Sequence, residues 1–242
     1  MVQTIIIADA GNTSIKFGVC VNHKIENVYR IDYKELESWL ELNKDLTHHT
    51  CILSTVTSPE LTEKLSIRFN RVFLIDREAK LPITLNYNTP ETLGIDRICN
   101  AVAIHSAVPN KNVVSIDIGT CIKFDLVDEN GVYQGGSISP GIELRYKAMN
   151  DYTQNLPLLD LKSSIQLVGK STSESMHSGV INGIQAEINE LINRYNMNYQ
   201  GLTFFVTGGD AQYFDFEGKN NIFADENLTL KGLYTIYLFN AK

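Results

Sequence analysis

The 242-residue sequence is poor in the features that mark several common classes of protein. Its four cysteines, Cys20, Cys51, Cys99 and Cys121, form no C-x-x-C pair and sit mostly among apolar neighbours, which excludes a disulfide framework or zinc site and reads as reduced, buried thiols. Basic residues are in deficit: 21 Lys and Arg against 28 Asp and Glu leave a formal charge of −7. A broad nucleic-acid or anionic-membrane surface is thereby excluded, and any anion site must be local. No apolar run approaches a membrane span, and no basic segment precedes the short N-terminal apolar run, so the expected location is the cytoplasm. Low-complexity tracts and long linkers are absent. No histidine stands at metal-ligand spacing from another, so His23, His48, His49, His105 and His177 receive no catalytic role.

Two familiar nucleotide motifs are missing as well. "SIQLVGKS" has Ser164 where a Walker A loop requires its first glycine, and no G-x-G-x-x-G opens a helix. What the chain has instead is a repeated strand, turn and strand. Thr4–Ala8 leads into Asp9-Ala10-Gly11-Asn12-Thr13, after which Ile15, Phe17 and Val19 alternate with Lys16, Gly18 and Cys20. About a hundred residues later Val113–Ile116 leads into Asp117-Ile118-Gly119-Thr120, and Ile122, Phe124 and Leu126 alternate in turn. Without Asn12 the tails "TSIKF" and "TCIKF" align almost letter for letter. Each copy is followed by a further candidate strand, Lys24–Ile31 and Gly131–Ile138, so an internal duplication is expected.

The periodicity also predicts helices over Tyr33–Leu46, Pro59–Phe69, Ile98–Val108, Gly141–Tyr152, Ser173–Tyr195 and from about Asn227, and strands at Thr50–Thr55, Arg71–Ile75 and Thr203–Val206. The compact turn "VPNKN" at Val108–Asn112 divides the chain into expected domains at 1–110 and 111–242.

A turn of the form D-x-G-(N)-T suits phosphate. Glycine admits an anion close to the backbone, threonine and exposed amides donate hydrogen bonds, and the aspartate requires a cation between itself and phosphate. Taken singly, each loop also suits an ordinary Asx-containing hairpin turn. Two such turns, each after a buried strand, favour a nucleotide with a metal, and Lys16 adds a positive charge near the terminal phosphates. A third element, Gly94-Ile95-Asp96-Arg97, sets a carboxylate and a guanidinium at the start of a helix, where Asp96 is equally suited to be an N-cap. "GGSISPG" at Gly135–Gly141 and "TGGD" at Thr207–Asp210 are turns that could approach a ligand.

Across essentially its whole length the chain resembles the type III pantothenate kinases, also called Bvg accessory factor homologues. The resemblance rests on "DAGNTSIK" at Asp9–Lys16, Y-x6-GIDR from Tyr87 to Arg97, "DIGT" at Asp117–Thr120, "GGSISPG", "STSESMHSG" at Ser171–Gly179 and "TGGDA" at Thr207–Ala211. It implies an α/β fold of two tandem ribonuclease H-like domains, the actin-like ATPase fold, with ATP in the central cleft between them. It also implies transfer of the γ-phosphoryl group to pantothenate, the first step of coenzyme A synthesis. By the same resemblance Asp9, Ala10, Gly11, Asn12, Thr13, Ser14, Ile15, Lys16 and Thr120 bind ATP, and Tyr87, Gly94, Ile95, Asp96, Arg97 and Thr172 line the pantothenate pocket. Asp96 is the implied general base. Asp117 would hold a monovalent cation such as potassium or ammonium, magnesium would accompany ATP, and the protein would be a homodimer. The Cys121-Ile122-Lys123 that follows the second turn departs from the small or hydroxyl residues frequent there. Other small-molecule kinases of the superfamily, or a regulator retaining the fold without catalysis, are the alternatives.

Overall fold

The computed structural model describes residues 3–11, 14–55, 59–161, 165–216 and 221–241. Asn12, Thr13 and Ser164 fall outside them. The chain forms two compact units, one of Met1–Ala107 with Asn227–Lys242 and one of Val108–Glu226.

In the first unit β1 (Thr4–Ala10), β2 (Ser14–Val21) and β3 (Lys24–Asp32) form an antiparallel meander. Two further strands, β4 (Thr50–Thr55) and β5 (Arg71–Leu74), add in parallel to give the order β3-β2-β1-β4-β5. The isoleucine run of β1 is apolar on both faces because both are covered: Ile6, Ala8 and Ala10 enter one core while Ile5 and Ile7 are buried on the other side. Period two then places Asp9 on the face of Ile5 and Ile7. The short strand β6 (Thr84–Leu85) precedes α4 (Ile95–Ala107).

The helix expected over Tyr33–Leu46 is broken into α1 (Leu36–Leu42) and α2 (Lys44–Thr47). Asn43 lies between them at φ −118°, outside the helical range, and both its backbone amide and its side-chain amide donate to the Trp39 carbonyl, at 3.0 and 2.8 Å, which closes α1 at this residue. The helix α3 (Pro59–Arg68) follows the expected span closely.

In the second unit β7 (Val113–Ile118), β8 (Cys121–Val127) and β9 (Val132–Pro140) repeat the meander, and β10 (Thr203–Thr207) and β11 (Ile222–Ala224) add in parallel. The order β9-β8-β7-β10-β11 is that of the first sheet, strand for strand. Both units are therefore of the ribonuclease H-like kind, as the family resemblance implies, and the repeated meander bears out the duplication expected from the sequence. Helices α5 (Ile142–Asp151) and α6 (Thr172–Asn198) cover one face, with Val180, Ile184 and Ile188 packed with Ile116, Phe124 and Phe204. Ser171 caps α6, its hydroxyl accepting from the Glu174 amide at 3.2 Å while the Glu174 carboxylate accepts from the Lys170 amide at 2.7 Å.

The expected second domain, 111–242, differs from the structure at its C-terminal end. The last helix, α7 (Leu228–Asn240), belongs to the first unit, where it packs against α4. Its Gly232 permits this: a Cβ there would lie 1.9 Å from the Cys99 carbonyl oxygen, so the two helix backbones are in direct contact. Thr229 donates to the side-chain oxygen of buried Asn100 at 2.9 Å, a hydrogen bond that ties α7 to α4.

Candidate active site

The first turn closes β1 onto β2. Asp9 is directly opposite Lys16 and Ala10 opposite Ile15 in the antiparallel register, and the Gly11 amide donates to the Ser14 carbonyl at 3.1 Å. Tyr33 donates to the Gly11 carbonyl at 2.5 Å, tying the bend to the segment after β3. Ala10 and Ile15 are fully buried, so they can offer a ligand only their backbone. Asp9, Gly11, Ser14 and Lys16 are half-buried at the rim.

Gly94–Arg97 lies in the same unit. Asp96 occupies the first turn of α4, and its carboxylate folds back over Gly94, where a Cβ would stand 2.4 Å from Oδ1. Leu93 and Arg97 are buried on either side of half-buried Gly94, Ile95 and Asp96. The guanidinium carbon of Arg97 lies 5.9 Å from the centroid of the Tyr87 ring, a cation–π arrangement that joins both ends of Y-x6-GIDR. Burial first, then the charges of Asp9 and Asp96, push the Cys99 thiol well above its ordinary pKa.

The second turn is built differently around it. Gly119 donates to the Cys121 carbonyl at 3.1 Å, Gly141 donates to the Thr120 carbonyl at 3.0 Å, and Asp210 donates to the Ile118 carbonyl at 3.0 Å. A Cβ at Gly141 would lie 2.0 Å from the Gly119 oxygen, and one at Gly208, whose φ is +100°, 2.1 Å from the Ile118 oxygen. Gly141 of "GGSISPG" and Gly208 of "TGGD" therefore press their own chain against the D-I-G-T bend. A Cβ at Gly119 would meet nothing within 4 Å, which leaves one side of this bend open to an approaching group, with exposed Thr120 beside it. Thr172 is the exposed first residue of α6 in this unit. His177 of "STSESMHSG" is a core residue, hydrogen-bonded to Tyr146 at 2.7 Å.

Asp117 does not present an open carboxylate. Lys123 is its cross-strand partner, and the two side chains form an ion pair at 2.7 Å with 15% and 17% of their surfaces exposed. A monovalent cation at Asp117 does not fit this arrangement, since an ammonium already neutralises the carboxylate. Sequence reasoning saw Lys123 only as a departure; the signal that identifies it is the hairpin register, which sets 117 opposite 123. Among the described residues no group of three or more His, Cys, Asp and Glu could hold a metal, and no helix is long and apolar enough to cross a membrane.

Comparison with known proteins gives three results. The family model described as "Type III pantothenate kinase" matches residues 5–194. A type III pantothenate kinase from Christiangramia forsetii is 41% identical over 239 residues, 97% of this chain and 98% of that one. Among solved structures, a Baf family transcriptional activator from Campylobacter jejuni superposes with a TM-score of 0.62 at 20% identity, covering 98% of each chain, which supports the fold.

Proposed function

We propose, from the premise that the chain belongs to the type III pantothenate kinase family, that it transfers the γ-phosphoryl group of ATP to the primary hydroxyl of pantothenate. The product is 4'-phosphopantothenate, and the reaction opens coenzyme A synthesis. The observation that carries the site assignment is the start of α4, where the half-buried Asp96 carboxylate folds back over Gly94 and the Arg97 guanidinium lies 5.9 Å from the Tyr87 ring centroid, which supports a proton acceptor beside a substrate-holding cation.

Phosphoryl transfer asks little covalent chemistry of a protein; alignment of the acceptor and neutralisation of charge carry most of the rate. In this reading the backbone of Ala10, Gly11 and Ile15, with Asn12, Thr13 and Ser14, cradles phosphate, and Lys16 adds a positive charge. Thr120 and the open side of Gly119 offer a second set of donors. Tyr87, Gly94, Ile95, Arg97 and Thr172 hold pantothenate. Asp96 accepts the hydroxyl proton as the new P–O bond develops, a contribution of about 10² to 10⁴ in rate.

Magnesium enters with ATP as a charge-neutralising ion on the phosphates. It needs only one or two protein carboxylates, and half-buried Asp9 at the rim of the first turn fits that role. The potassium or ammonium ion expected at Asp117 forms no part of this reading, because Lys123 already pairs with that carboxylate. The acidic composition supports an enzyme that binds neither nucleic acid nor membrane, and family resemblance supports a cytoplasmic homodimer. An ADP-release assay with and without pantothenate tests the reaction, and Asp96→Asn tests the base.

A further inference from the structure

We propose that the ammonium of Lys123 takes the place of a monovalent cation at Asp117, so that phosphoryl transfer by this protein proceeds without added potassium or ammonium. The inference rests on the kinase reading above and concerns the same turn.

The pairing is set by the backbone. In the β7–β8 hairpin Ile118 is opposite Ile122 and Asp117 opposite Lys123, so the two side chains leave the same face of adjacent strands. Nζ reaches Oδ2 at 2.7 Å, and each side chain is at least four-fifths covered. Water competes weakly for such a pair, and salt screens it less than it would a surface pair. Removing either partner would take away the counter-charge that stands 2.7 Å from a largely covered group.

A free potassium or ammonium ion at Asp117 would bring one positive charge to this carboxylate. Lys123 brings the same charge, and as an alkylammonium it offers the same kind of N–H donor as an ammonium ion. A second cation there would meet the lysine's like charge. The bend itself remains open at Gly119, so a phosphate reaching it would meet a turn whose aspartate is already neutralised. The tether replaces an equilibrium with salt by a permanent contact.

The test measures ADP release with MgATP and pantothenate in potassium, ammonium, sodium and choline chloride at one ionic strength. The natural protein should vary by less than about twofold across the series. Lys123→Thr and Lys123→Met should fall at least tenfold in choline and regain most of the loss in potassium or ammonium. A tenfold or greater loss by the natural protein in choline, or failure of both ions to restore either variant, overturns the proposal. Thermal unfolding without substrate gives an independent reading: potassium in place of choline should raise the Tm of the variants and leave that of the natural protein unchanged, and a rise in the natural protein overturns it. If pantothenate releases no ADP in any salt the assigned reaction fails, while the unfolding comparison still decides the role of Lys123.

Discussion

The two turns at the ends of β1 and β7 descend from one pattern and have been finished in different ways. Each closes a hairpin in a sheet of the same strand order, and each opposes an aspartate to a lysine, Asp9 to Lys16 and Asp117 to Lys123. Around the first, the neighbours are side chains: Tyr33 on the Gly11 carbonyl, and the carboxylates of Asp9 and Asp96 acting on α4. Around the second, they are backbones, with Gly141 and Gly208 in contact with the bend itself. A duplicated scaffold thus supplies one turn closed by a side chain and one braced by backbone on one side and open at Gly119 on the other, and the distinction is set by what packs against each.

The comparison can be broken most severely at Asp96. If Asp96 is the proposed general base, Asp96→Asn should lower kcat by about 10² to 10⁴ while the Tm stays within a few degrees of the parent. A variant with near-parental kcat would remove the general base from the first turn's neighbourhood.

The second turn should respond in stability. Gly208→Ala forces a Cβ against the Ile118 carbonyl at a backbone angle that L residues avoid, with an expected cost of about 2–4 kcal/mol in denaturant unfolding. Gly119→Ala, where a Cβ meets nothing, should cost under about 1 kcal/mol and act on the KM for ATP instead. Equal stability losses at the two glycines would erase the distinction drawn between support and ligand contact.

A smaller effect concerns the return of α7 to the first unit. Thr229→Val removes the donor that satisfies Asn100 and should cost about 1–2 kcal/mol, with kcat changed little. The smallest is a dependence on alkaline pH. Burial raises the Cys20, Cys51 and Cys99 thiols above their ordinary value of 9.0, so folding favours the protonated form. That contribution is complete below pH 9 and is lost as the pH climbs above it, since the unfolded thiols ionise first. The Tm should therefore decline from about pH 9 upward, and less so in a Cys51→Ala, Cys99→Ala variant compared with its own neutral-pH value.

Much of this was legible in the sequence. The hairpins, the duplication and the Asp96 loop follow from period-two alternation, from the two D-x-G turns and from the order of the family motifs. What escaped depends on contacts distant in sequence. The composition of α7 reads as a buried helix, yet only the backbone contact of Gly232 with Cys99 shows which unit it joins. The break at Asn43 falls where the backbone leaves the helical range while the side chain adds its own bond to the Trp39 carbonyl, and β11, three residues long, is too short to carry a period. Lys123 looked like an anomaly until the register paired it with Asp117.

The account turns most directly on ADP release measured with MgATP in the presence and absence of pantothenate, for the natural protein and Asp96→Asn side by side. It predicts release that requires pantothenate, matches its phosphorylation one for one, and falls at least a hundredfold in the variant. Release indifferent to pantothenate, or a variant as active as the parent, would contradict it.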